Sequence, residues 1–219
     1  MKRLALATLL LVATGCSAPA PAQVVWSGPA TTNEIAITFD AHYDVAFTPG
    51  ILDALKAANV PATFFVTGQW AEAHPDWLQR MAADGHLIGT HSYDHPDFTK
   101  ISDAAVVDQL NRSDAAITAA TGHSAKPFVR PPFGANNARV NRILGEQGYR
   151  YDVLWTVDSG GWMGLRFDQI VKRVLDRAVP GAIVIFHESV GADLEALPWI
   201  LAALHDRGYT FVRLDTWFP

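Results

Sequence analysis

Two histidines, His91 and His95, stand four positions apart directly after a short apolar segment that predicts a strand. Neutral imidazole is the commonest protein ligand for zinc-like metals. If the segment made a helical turn, both rings could point to one place. Because such spacing also arises by chance, the pair predicts a metal site only in combination with further residues.

Other side chains that could do chemistry also fall at the ends of predicted strands; they are Asp40, Arg130, Asp158 and His187. In a parallel α/β fold the carboxyl ends of the strands open on one face, so these groups and the histidine pair would converge there. Each has a simpler explanation: a helix cap, a rim ion pair, a turn residue and a buried core histidine, in that order. Their joint placement favours a site.

The elements that must position these residues alternate along the whole chain. Seven apolar segments predict strands, at residues 34–39, 62–66, 86–90, 128–130, 151–155, 182–187 and 210–213. Helical patterns lie between them, one starting at Thr48-Pro49 and another with Ser102 as its N-cap. This alternation predicts parallel strands in an α/β barrel or a doubly wound sheet.

The N-terminus has the pattern of an export signal. Lys2 and Arg3 precede an apolar run, residues 4–13, that is too short to span a bilayer. Small residues before Cys16 resemble a bacterial lipobox, which predicts a signal peptide at residues 1–15 and a lipid on Cys16. The alternative is a plain secretory signal cleaved nearby. Residues 16–33 are predicted to be the anchor cysteine and an Ala/Pro linker, and residues 34–219 a single domain.

Composition narrows the function classes. Cys16 is the only cysteine, which excludes an internal disulfide. Without Lys2 and Arg3, 15 basic residues stand against 22 acidic ones, a net charge of −7. There is no basic patch of the nucleic-acid-binding kind, so we expect no nucleic acid partner, and the only expected membrane contact is the lipid anchor.

Five ordered motifs resemble those of the polysaccharide deacetylase family, the NodB-homology domain of carbohydrate esterase family 4. They are Thr38-Phe39-Asp40, His91-Ser92-x-x-His95, Arg130-Pro131-Pro132-Phe133-Gly134, Asp158-Ser159-Gly160-Gly161-Trp162 and Ile183-Val184-Ile185-Phe186-His187. The resemblance covers residues 34–214. It implies a distorted (β/α) barrel, typically of seven parallel strands.

The resemblance also implies roles for individual residues. Asp40 is the expected base and Arg130 the residue that holds it, while His91 and His95 bind a divalent ion, with zinc the first choice. His187 is the expected acid. A backbone N–H near Phe133 helps to hold the oxyanion, and Trp162 and Ile185 form an apolar wall for the acetyl methyl group. Further aromatic candidates for stacking on sugars are Trp70, Tyr93 and Trp155.

Two positions depart from the family pattern. Ala41 replaces an acid that ligates the metal, so we expect His42 as the third ligand, with Asp44, Asp40 itself or a water as alternatives. Gly161 replaces an acid that pairs with the catalytic histidine. Asp158 is the nearest remaining carboxylate, and we expect it to raise the pKa of His187 against the effect of burial.

The predicted function is metal-dependent removal of N-acetyl groups from an amino-sugar polymer or oligosaccharide of the cell envelope. Two alternatives remain: an O-acetyl esterase acting on xylan-like sugars, and an inactive carbohydrate-binding relative, which Ala41 and Gly161 would favour. The absence of a Gly-x-Ser-x-Gly elbow argues against a serine hydrolase. The sequence does not indicate an oligomeric state.

Overall fold

The computed structural model describes residues 19–42 and 44–219. Nine strands are present in this part of the chain: β1 (Gln23–Val25), β2 (Glu34–Ala41), β3 (Thr63–Val66), β4 (Leu87–Thr90), β5 (Phe128–Val129), β6 (Tyr151–Val153), β7 (Val157–Asp158), β8 (Ile183–His187) and β9 (Thr210–Phe211). The predicted signal peptide at residues 1–15 and the predicted anchor Cys16 lie outside the described residues.

Eight α-helices lie between or after these strands in the described ranges. They are α1 (Thr48–Ala57), α2 (Gly68–Ala73), α3 (Pro75–Ala83), α4 (Asp103–Thr121), α5 (Ala138–Glu146), α6 (Phe167–Arg177), α7 (Gly191–Asp206) and α8 (Leu214–Trp217). Two short 3₁₀ turns, Pro132–Gly134 and Gly161–Met163, follow β5 and β7. Ser102 caps α4 as predicted, because its hydroxyl accepts the Ala105 N–H at 3.2 Å.

The strands form one parallel sheet in the order β1-β6-β5-β4-β3-β2-β8-β7, with β9 paired to the start of β2. Every ladder between these strands is parallel. The sheet curls into the distorted (β/α) barrel that the sequence predicts. All strand C-termini therefore open on one face.

Strand β2 shows how the alternation of side chains separates the core from the site. Ile35, Ile37 and Phe39 point outward into the main hydrophobic core, which also contains buried residues of α1 and α7. Thr38 and Asp40 point to the opposite, inner side, because successive strand residues face opposite ways. A shift of one residue would bury this carboxylate among aliphatic side chains, so the core pattern fixes where Asp40 faces.

All seven predicted strands are present, and two short ones are added. β7 has two residues and β1 has three, too few to show a periodicity in sequence. β1 pairs with β6 along its whole length, and Val25 is 4% exposed. Part of the segment predicted as a linker, residues 23–25, is therefore paired with the sheet.

Among residues 19–42 and 44–219, no helix combines the length and the apolar character needed to cross a bilayer.

Candidate active site

The strand register places the acid–base candidates side by side. Asp40 on β2 is paired with His187 on β8, one residue from the end of β2. His91 directly follows β4, and Arg130 directly follows β5. These residues come from four strands of the sheet, and all of them lie at the C-terminal rim.

Arg130 is fully buried and forms an ion pair with Asp40, with 2.7 Å between Nη1 and Oδ1. Its other donors are also occupied: Nη2 donates to Thr38 Oγ1 at 3.0 Å, and Nε donates to the Val153 carbonyl at 3.0 Å. The guanidinium therefore has a fixed orientation. Burial alone would raise the pKa of Asp40, but His91, Arg130 and His187 oppose it and bring the pKa to about 2.

The tautomer of His91 is set by its neighbour. Its Nδ1 lies 2.7 Å from the Arg130 carbonyl, which can only accept, so Nδ1 carries the proton and donates it. Nε2 is left with a lone pair, 3.5 Å from Asp40 Oδ2. A histidine held in this way through its other nitrogen is typical of a metal ligand.

The rings of His42, His91 and His95 form a cluster whose ligand atoms lie within 4.8 Å of one another. His91 Nε2 and His95 Nε2 are 3.2 Å apart. Burial lowers the pKa of all three imidazoles, assisted for His42 and His95 by the charge of His91, to about 3 for His42 and about 4 for His95. They are neutral at pH 7, which is the form that binds metal.

The segment that joins the two histidines is not a helical turn. Ser92 and His95 have φ values of 72° and 68°, so the segment is a loop that passes twice through the left-handed region. The Ser92 hydroxyl accepts the His95 N–H at 2.9 Å and holds this loop. The two rings meet because the chain doubles back rather than because it winds into a helix.

Every predicted site residue except Arg130 lines a single cleft of about 410 Å³, and Arg130 lies beneath it. Phe133 and Trp162 stand at the rim with 68% and 58% of their surface exposed, while Ile185 is buried in the wall. Trp155 also lines the cleft. The other two aromatic candidates are buried away from it: Trp70 belongs to the main core, and the Tyr93 hydroxyl donates to Glu72.

Asp158 lines the cleft but is engaged in its own turn. Its Oδ1 accepts the Gly160 N–H at 2.8 Å, and Trp162 Nε1 donates to its Oδ2 at 3.1 Å. No hydrogen bond joins Asp158 to the His187 side chain in the described part of the chain. Burial lowers the pKa of His187, and the charges of Asp40 and Asp158 oppose this only partly, so the expected net rise is wrong.

Sequence reasoning missed the residues that support this site from behind, namely Thr38, Ser159 and Asp193. Thr38 accepts from Arg130 and donates to the Val184 carbonyl at 2.8 Å. Ser159 donates to Asp193 at 3.1 Å, and both are buried. Thr38 and Ser159 lie inside recognised motifs, whereas Asp193 lies on a helix after the last motif. The one sequence signal for Asp193 was the glycine at position 161, where a Cβ would lie only 2.4 Å from its Oδ1.

The site combines a buried carboxylate held by arginine with a cluster of neutral histidines at the open end of a parallel barrel. Comparison with known proteins identifies the family. Residues 27–151 match the sequence model of the family named "Polysaccharide deacetylase". A peptidoglycan-N-acetylglucosamine deacetylase of Bacillus cereus is 36% identical over 197 residues, which are 88% of this chain and 71% of that protein.

Two solved structures show the same fold. One, a peptidoglycan N-acetylglucosamine deacetylase, superposes with a TM-score of 0.85 at 34% identity, covering 89% of this chain and 92% of the other. The second, a Bacillus anthracis pseudoenzyme of carbohydrate esterase family 4, also has a TM-score of 0.85, at 28% identity over 91% of this chain and 70% of its own. The chain belongs to the polysaccharide deacetylase family.

Proposed function

We propose that this protein is a metal-dependent deacetylase that removes N-acetyl groups from an amino-sugar polymer of the cell envelope. The observation that carries the proposal is the position of the Asp40–Arg130 pair beside the cluster of His42, His91 and His95. The nearest carboxylate oxygen lies 3.5 Å from His91 Nε2, inside a cleft with exposed aromatic rims.

The residues present fit a divalent ion, with zinc as the proposed metal. His91 Nε2 and His95 Nε2 face each other at 3.2 Å, and the lone pair of His91 Nε2 is fixed. This contact is unfavourable unless a proton or a cation lies between the two nitrogens. His42 supplies the third nitrogen in place of the family's usual carboxylate at Ala41. When bound, the ion would lower the pKa of a water and polarise the acetyl carbonyl.

Asp40 is the proposed base. Its pKa of about 2 keeps it ionised at neutral pH, and Arg130 occupies Oδ1, so Oδ2 is the oxygen that takes the proton from the attacking water. Asp40 receives this proton next to the fixed guanidinium of Arg130 rather than in bulk water. Arg130 therefore orients the base and limits the reorganisation that the reaction needs.

His187, on the strand next to that of Asp40, is the proposed acid. Its ring lines the cleft, and its Nδ1 is buried without a hydrogen-bond partner in the described residues. In its imidazolium form, His187 would protonate the leaving nitrogen through Nε2. The backbone N–H of Phe133 would support the oxyanion. Ile185 and the indole of Trp162 would enclose the acetyl methyl group, and the exposed faces of Trp162 and Phe133 would stack on sugar rings.

The relatives support the proposed substrate, and the N-terminal sequence supports the proposed location of the protein. An amino-sugar polymer of the envelope matches the peptidoglycan substrate named for the Bacillus cereus relative. We propose that the protein is exported and held at the membrane by a lipid on Cys16. Mass spectrometry of the protein extracted from its native membrane would show an acylated N-terminal cysteine, whereas a soluble form that starts after Cys16 would contradict the anchor.

A single assay of acetate release separates this function from two others, O-acetyl ester hydrolysis and the absence of activity. O-acetyl ester hydrolysis needs the same groups, and the existence of a pseudoenzyme relative makes an inactive protein a real alternative. Purified protein stripped of metal and reloaded with zinc is incubated with N-acetylglucosamine oligomers, peptidoglycan fragments and acetylated xylan. Released acetate is then measured.

We expect acetate from the amide substrates in proportion to added zinc. Asp40→Asn should lower kcat by roughly 10²–10⁴-fold without loss of fold, the usual effect of removing a general base. The exposed Asp206→Asn serves as a matched control and should be unchanged. Release from xylan alone would favour the esterase, and no release from any substrate with zinc bound would favour the inactive relative.

A further inference from the structure

One buried carboxylate lies next to the acid but outside the mechanism described above. Asp193 stands in the first turn of α7 and is 1% exposed. Its Oδ2 accepts the backbone N–H of His187 at 2.9 Å and the hydroxyl of Ser159 at 3.1 Å. Its Oδ1 has no hydrogen-bond partner among the described residues, and neither does His187 Nδ1.

The position of Asp193 follows from how the sheet ends. On one side of β8, the Glu188 N–H donates to Asp40 on β2. On the other side, β7 stops at Asp158, and the last backbone link is from the Ser159 N–H to the Ile185 carbonyl. The next N–H on that side belongs to His187 and has no strand left to pair with. The Asp193 carboxylate takes the place of the missing strand.

The glycine at position 161 leaves the space that the Asp193 carboxylate occupies. A Cβ built on Gly161 would lie 2.4 Å from Asp193 Oδ1 and 2.8 Å from its Cγ, far inside contact distance. The backbone does not require glycine there, because Gly161 has no positive φ, unlike Gly160 and Gly164 at 79° and 85°. Space alone requires the glycine, so a side chain at 161 and the carboxylate of Asp193 exclude each other.

We propose that Asp193 is the positioning residue of the acid: it holds the end of β8 and the Ser159–Trp162 turn together so that His187 faces the cleft. This inference rests on the proposed function. It assigns to α7 a carboxylate that fills the space next to position 161. Both elements that Asp193 joins carry side chains of the cleft, His187 on one and Trp162 on the other.

The main test compares kinetics on an N-acetyl substrate and on an O-acetyl ester of the same sugar. Asp193→Ala should lower kcat on the amide by about 10²-fold, the effect of displacing a reacting group by about 1 Å, with KM little changed. The ester should lose less, because its leaving group needs less help from an acid. Asp193→Asn keeps an acceptor for the His187 N–H and should stay within about tenfold of the wild type.

Two further variants test the exclusion at position 161. In the double variant Asp193→Ala/Gly161→Asp, the new carboxylate enters the space that Asp193 vacates. A Cβ at position 161 would lie 2.9 Å from Val190 Cγ1, so that methyl group must move slightly. The kcat of this variant should be at least about tenfold higher than that of Asp193→Ala. Gly161→Ala keeps Asp193 but displaces it, and should lower kcat in the same direction. Glu195→Ala on the exposed side of α7 is the control and should match the wild type.

The outcomes separate this inference from the proposed function. A wild type without activity would refute the function itself. An active wild type with equal losses on amide and ester in Asp193→Ala, or with no loss, would refute the positioning role. If Asp193→Ala does not fold, Gly161→Ala decides: unchanged kcat and an unchanged amide-to-ester ratio in that variant would also overturn the inference.

Discussion

Replacing Arg130 by methionine should be among the most damaging single changes in this protein, although Arg130 does not line the cleft. The side chain is 0% exposed and makes three hydrogen bonds of 3.0 Å or shorter, to Asp40, Thr38 and the Val153 carbonyl. Its guanidinium also lies 4.2 Å over the Phe65 ring. Methionine fills part of the volume but supplies no donor.

The magnitude follows from what is left behind. Without Arg130, the Asp40 carboxylate is buried and unpaired, and breaking one side of a buried ion pair costs about 3–5 kcal/mol. A domain of this size loses about 2–4 °C of Tm per kcal/mol, so the expected fall is about 6–20 °C. Asp40→Asn should cost less, about 1–3 kcal/mol, because its amide oxygen can still accept from Nη1.

Thermal unfolding followed by circular dichroism, with metal removed from every sample, measures these differences. Arg142→Met is the matched control: that arginine is about half exposed, pairs with Asp103 and Glu146 on the surface, and should contribute no more than about 1 kcal/mol. The reasoning would be refuted if Arg130→Met unfolded within a few degrees of Arg142→Met, or if Asp40→Asn were the less stable of the two site variants.

Three further changes probe the metal cluster, the rim and a buried acid. His42→Ala should weaken zinc binding more than tenfold while the exposed His123→Ala leaves it unchanged, as measured by competition with a chelator; equal affinities would remove His42 from the cluster. Phe133→Gly should change the free energy of unfolding in urea by less than about 1 kcal/mol, because relief of its φ of 62° offsets the lost ring, yet raise KM; an unchanged KM would mean that the rim does not bind sugar. Burial raises the pKa of Asp152 to about 7, so its protonated form stabilises the fold at low pH and this contribution is lost as pH rises from about 4 to 7. Asp152→Asn should therefore become about 3–4 kcal/mol more stable relative to the wild type between pH 4 and pH 8 in urea denaturation, and a difference that does not grow with pH would contradict the raised pKa.

The sequence determined a parallel α/β fold and the rim on which the site lies, and the resemblance of its five motifs implied the barrel rather than the doubly wound sheet. Strand patterns alternating with helical ones require parallel pairing, and parallel strands bring all their C-termini to one edge. Once that is known, Asp40, His91, Arg130 and His187 must converge, because each follows or ends a strand. The prediction that these groups converge needed only the order of the apolar segments along the chain, whereas their individual roles came from the family resemblance.

Only the tertiary structure decided how these groups face one another. The tautomer of His91 depends on a carbonyl 39 residues away, and the backbone of His187 is held by Asp193 across a gap where β7 has ended. The strand β1 forms because β6 offers it an edge, not because its three residues favour a strand. Such contacts depend on the register and curvature of the whole sheet, which no local pattern encodes, so the supporting residues became visible only in three dimensions.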